Sequence, residues 1–133
     1  LFHTLTGDIQ QTEAELSRVS DLMAAVVQYA KTRPAFDGYK AAKYSREYLA
    51  EHEAELAEYR AAKATMAELL GGEKLPKMDV LKEKLRQLAA RKKALYLEYR
   101  KAQQDMRELV AVKGSVDHLR GLTDNQRNKE QAR

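Results

Sequence analysis

Three histidines, a run of glutamates and seven tyrosines are the side chains of this sequence best suited to chemistry. His3, His52 and His118 could each ligate a metal, but a zinc or iron site needs several ligands converging on one ion. None of the three has a second histidine or a cysteine at ligand spacing, and cysteine is absent. The acidic run "EHEAELAE" (51–58) could supply paired carboxylates. Glu51, Glu55 and Glu58 fall at helical spacing, however, which suits a solvated, salt-bridging face. "LLGGEKLP" is a turn without the Lys-Ser/Thr that completes a phosphate loop, and no Ser-His-Asp set follows from spacing. The sequence therefore offers no catalytic residue, no metal site and no cofactor site.

Binding is the chemistry that is left. "AARKKALYLEYRKAQ" (89–103) packs five basic residues around Tyr96 and Tyr99. Lys82, Lys84, Arg86, Arg100, Lys101 and Arg107 lie mostly off the apolar stripe of the same segment. Such a row can neutralise DNA phosphates without reading sequence. It also suits the water-facing side of any long helix, and both readings stay open. Tyr48, Tyr59 and Tyr99 sit on apolar stripes, where packing is a more economical role than base stacking.

The elements that carry these residues are helices. With 6 Gly, 2 Pro and 33% charged residues, the composition is that of long helices around a thin aliphatic core. Ile9, Thr12, Leu16, Val19, Met23, Val26 and Ala30 repeat at steps of three and four. They predict a first helix over about 6–32. Pro34 disfavours helical geometry at Arg33, and the helix either stops there or, as the continuing spacing favours, kinks and runs to 42. A second helix, 46–70, has Ser45 as N-cap and Gly71 and Gly72 as terminators. In the third, 77–120, Leu81, Leu85, Leu88, Lys92, Leu95, Tyr99, Ala102, Met106, Leu109, Lys113 and Val116 form one heptad seam. Residues 1–122 are expected to be a helical domain and 123–133 a disordered tail. The predicted fold is all-α: an elongated three-helix antiparallel bundle or coiled coil with a long overhanging third helix.

The short turn "GGEKLPK" predicts that the second and third helices fold back on each other. Folding about Glu73–Lys74 sets Tyr59 against Leu88, His52 against Leu95 and Glu55 against Lys92, the last as a structural polar pair. Charge agrees with that register, because residues 1–73 carry a net −4 and residues 74–133 a net +8. The longest apolar run, Leu22–Val27, is far short of a membrane span, and no membrane partner is expected. The apolar stripe beyond Ala102 calls for cover, either from the first helix or from another copy of the chain as a homodimer.

Several phrases carry a family likeness. "YAKTRPAFDGYKAAKYSREYLAEHEAEL" and "KLPKMDVLKEKLRQLAARKKALYLEYRKAQQDMRELVAVKGSVDHL" resemble the C-terminal region of relaxases, as does the closing "NKEQAR". Relaxases are the mobilization nucleases of conjugative elements in Gram-positive gut bacteria. The likeness covers most of 16–120. It implies a piece of a longer, cytoplasmic bacterial protein, in which a separate N-terminal domain nicks DNA with a tyrosine nucleophile and a histidine-bound metal. No residue of this chain matches those catalytic groups. The resemblance therefore implies a non-catalytic accessory region that helps hold DNA or assembles with relaxosome and coupling proteins. The rival is a purely structural spacer or dimerisation arm without DNA contact. Pro34 and Gly38 depart from the family's more continuous helix and put the path of the first helix in doubt.

Overall fold

The structure, a computed structural model, describes residues 2–131, with side chains placed for 2–122. It is all-α, as the sequence predicts, with four helices: α1 (Phe2–Ala41), α2 (Arg46–Glu51), α3 (Glu53–Leu70) and α4 (Met78–Gln131). The chain divides into two compact units, one of residues 10–92 and one of residues 1–9 with 93–133.

In the larger unit, α1 and α3 run antiparallel. Arg18 donates two hydrogen bonds to the Leu69 carbonyl at 2.8 and 3.2 Å, Gln28 donates to Glu58 at 2.7 Å, and the rings of Tyr29 and Tyr59 stack at 5.1 Å. Val19 and Leu22 of α1 and Leu81 and Leu88 of α4 form the buried core, with Met66, Leu69, Leu70 and Leu85 packed around it. Leu56, 1% exposed, is the most deeply buried large side chain. Lys84 of α4 pairs with Glu15 at 3.3 Å.

α1 passes Pro34 without a break and runs on to Ala41, so it does not stop at Thr32. A proline inside a helix forfeits one backbone bond and costs about 3 kcal/mol. The surrounding contacts offset that cost. Thr32 and Ala35 on either side are buried, and the Thr32 hydroxyl donates to the Gln28 carbonyl at 2.8 Å. Phe36 lies flat on Tyr59, centroids 4.4 Å apart. The helix also begins earlier than the predicted residue 6, because Phe2 and Leu5 extend its apolar stripe.

The connection to α2 places Lys43 and Tyr44 in the left-handed region, with φ of 58° and 59°. Ser45 caps α2 as the sequence predicts, its hydroxyl accepting from the Tyr48 N–H at 3.2 Å. The predicted continuous helix 46–70 is interrupted at His52, whose φ of −120° and ψ of 24° leave the helical region. Tyr48 lies one turn before this break. Its hydroxyl donates to the Ala35 carbonyl at 2.7 Å, fastening α2 to α1, while its ring carries His52 stacked at 4.0 Å. Gly71, φ 57°, ends α3 with its N–H on the Ala67 carbonyl.

In the smaller unit, Leu5, Ile9 and Leu95 are buried together, with Tyr96, Tyr99 and Ala102 against them. Phe2 meets Tyr99 edge-on at 5.7 Å. Moving from Ile9 back to Phe2 thus moves from Leu95 on to Tyr99, so α4 runs antiparallel to α1.

Contacts inside the larger unit correct the predicted fold-back. Glu58, Leu69 and Lys84 meet Gln28, Arg18 and Glu15 in turn, so the start of α4 goes on along α1 in the direction of α3 and does not reverse at "GGEKLPK". Glu15, which holds Lys84, and Gln28, which holds Glu58, are 13 residues apart on α1, or about 20 Å at 1.5 Å per residue. Glu55 is exposed, Lys92 is half-buried, and among the described residues no ion pair joins them. His52 packs on Tyr48. The helix also outruns its predicted end: the backbone stays helical to Gln131, where a disordered tail from 123 was expected. No proline and no glycine follows Gly121 to stop it.

Candidate functional site

The row of cations chosen from the sequence lies on α4, and its members differ in how free they are. Lys82, Arg100, Lys101 and Arg107 are exposed. Lys84 is held by Glu15 at 3.3 Å. Arg86 makes a forked pair with Glu83, its Nη2 at 2.6 Å and its Nε at 3.0 Å from the two carboxylate oxygens. The hydrogen bond from Arg86 holds the Glu83 carboxyl below its ordinary range, and the same bond raises Arg86. Two of the six cations are therefore partly neutralised within the chain. Lys82, Lys84 and Arg86 belong to the larger unit and Arg100, Lys101 and Arg107 to the smaller.

A second feature shares α4 with these cations. Every residue from 104 to 122 is exposed. Met106, Leu109, Val112, Val116 and Leu119 fall on one side of the helix and are all at least 41% exposed, as are Val110 and Leu122 off that side. An apolar row of that extent in water marks a contact surface on most proteins. Where this row meets the start of α1, an open groove of about 540 Å³ is lined by Phe2, Leu5, Ala102, Met106 and Leu109, with Glu98, Lys101 and Asp105 around it. The seam was legible in the sequence. Phe2 and Leu5 were missed, because nothing local to "LFHTL" says that it will pack about a hundred residues away.

A third cluster is aromatic. Tyr39, Tyr44, Tyr48 and His52 are linked ring to ring, and Tyr29, Tyr59 and Phe36 form a stack. The Tyr48 hydroxyl is engaged, and that of Tyr59 lies beside Tyr29. Tyr48 bonds the Ala35 carbonyl, and a hydrogen bond with Tyr29, aided by burial, raises the Tyr59 pKa. These rings pack α1 against α2 and α3, and Tyr44 at the edge of the cluster is exposed.

Among the described residues no group of three or more His, Asp or Glu could hold a metal ion. No described helix is long and apolar enough to cross a membrane. What the arrangement can do chemically is bind, through charge along α4 and through the apolar row beside it. The chain matches no known protein family, curated protein or solved structure.

Proposed function

We propose that this chain is a non-catalytic helical accessory region of a DNA relaxase, and that its work is assembly. In this reading α1, α2 and α3 form a helical stem, and α4 offers an apolar face to a protein partner of the relaxosome. The relaxase part rests on the sequence resemblance. The assembly part rests on one observation, the unbroken exposure of residues 104–122 with their apolar row. Replacing both Leu109 and Val116 with Glu in the intact parent protein tests it. The expected outcome is loss of DNA mobilization to recipient cells while the helical content of the chain is unchanged. Undiminished mobilization rules the docking reading out.

A second reading, DNA holding, is favoured by the exposure of Lys82, Arg100, Lys101 and Arg107 without an ion-pair partner among the described residues. It calls for weak, sequence-tolerant binding that falls steeply with salt. Arg100→Glu with Lys101→Glu should abolish such binding in a titration at low ionic strength. A chain that binds no DNA there leaves the cations as a solvated helix face.

A further inference from the structure

The exposed face of α4 is complementary to itself when one copy is turned end for end. Asp105, Leu109, Val112, Val116 and Arg120 recur at steps of three and four, which places them on one stripe of the helix. An antiparallel pair that sets Leu109 against the second copy's Val116 also sets Val112 against Lys113 and Asp105 against Arg120. Two-fold symmetry repeats each of these contacts. A parallel pair in register would instead put Asp105 on Asp105 and Arg120 on Arg120, like charges that repel. Among the described residues neither Asp105 nor Arg120 has an ion-pair partner within the chain.

We infer that the partner of this face is a second copy of the same chain, its α4 laid antiparallel across the first. The inference rests on the docking reading above and names its partner. The groove supports the same register. Leu109 lines it beside Phe2 and Leu5, so the second copy's Val116 packs at its edge, and Asp105 on the groove's rim receives the incoming Arg120. Apolar contacts supply the attraction, and the charges choose the direction.

The chain contains no cysteine, so single cysteines report the pairing without background. Sedimentation of the full chain should give a mass that rises from monomer to dimer with concentration. Val112→Cys should form a disulfide with its own copy, since the facing position is one residue away. Leu109→Cys and Val116→Cys should cross-link when mixed and not when alone. Asp105→Arg should raise the dissociation constant about tenfold, and adding Arg120→Asp should restore it, since close charge pairs across an interface are coupled. Circular dichroism confirms that each variant stays helical. A monomer at every concentration overturns the inference, and so does Leu109→Cys cross-linking alone as readily as in the mixture. A monomer whose Leu109→Glu, Val116→Glu variant still loses mobilization overturns only the second copy and leaves the docking face to a different protein. An antiparallel dimer whose loss leaves mobilization intact does the reverse.

Discussion

α3 and the stretch of α4 from 104 to 122 carry apolar residues at the same helical spacing, yet α3 buries Leu56, Tyr59 and Ala62 and the α4 stretch buries nothing. Periodicity does not separate them. α3 lies along α1, which offers Tyr29, Phe36 and a hydrogen-bonding Gln28 to it. The α4 stretch has no such face supplied by the described residues. A seam in a sequence thus states what a helix can bury and says nothing of whether the same chain supplies the cover. Where the chain does, the seam belongs to folding. Where it does not, the seam is available for binding.

The comparison breaks most sharply by truncating one leucine from each region. Leu56 is 1% exposed, and a buried leucine cut to alanine costs about 2–5 kcal/mol. Leu109 is 66% exposed, and surface changes usually stay within about 0.5 kcal/mol. Urea unfolding of Leu56→Ala and Leu109→Ala in dilute solution should therefore differ by several-fold in effect. A Leu109→Ala loss that matches Leu56→Ala and does not depend on protein concentration would mean that the chain covers its own α4.

Two helical glycines sharpen the contrast. A Cβ at Gly38 would collide with the Tyr48 hydroxyl and approach its Cζ to 2.9 Å. Relief would require the ring to leave its hydrogen bond to Ala35. A Cβ at Gly114 meets nothing within 4 Å. In a helix interior Ala is otherwise better than Gly by about 1 kcal/mol. Gly114→Ala should gain up to that amount. Gly38→Ala should lose about 1–3 kcal/mol, as overpacked sites do. Thermal melts of the two variants should move in opposite directions. Adding Tyr48→Ala to Gly38→Ala should remove the clash, so that the second substitution costs less than it does alone. A Gly38→Ala variant as stable as the parent would show that Tyr48 does not hold α2 to α1.

These same residues mark what could be read from the sequence. Ser45 and Gly71 were legible as caps because each acts within one turn of itself. Leu81, Leu88 and Leu95 were legible as core because a heptad seam is a local pattern. The direction of α4 was not. A seven-residue connection permits either a fold-back or a continuation, and both bury the same leucines. The acidic run 51–58 and the basic run 89–96 then argued for the wrong choice. Exposed charges constrain register weakly, and the pair that forms, Glu15 with Lys84, joins residues no local reading puts together. On the candidate site, the cations were legible one by one. That Glu83 occupies Arg86 follows from their spacing on one helix. The groove at Phe2 and Leu5 depends on the path of the entire chain.

The smallest expected effect concerns pH and separates the two regions by their tyrosines. In the packed region the Tyr59 hydroxyl is raised above its ordinary pKa, first by its hydrogen bond with Tyr29 and then by burial. Below the ordinary tyrosine value of about 10, folded and unfolded chains both keep the proton, and the contribution to stability is fully present. Between that value and the higher folded one, the unfolded chain releases the proton first. Stability therefore falls as pH rises through this window. Tyr59→Phe removes the ionisation but keeps the ring against Phe36. Melting temperature should fall less for Tyr59→Phe than for the parent between pH 9 and 11. The α4 stretch from 104 to 122 contains no tyrosine, so its local amide exchange, corrected for the intrinsic pH dependence, should not register the transition. Equal losses in parent and variant would place the alkaline sensitivity elsewhere and detach the Tyr29–Tyr59 contact from the stability of the packed region.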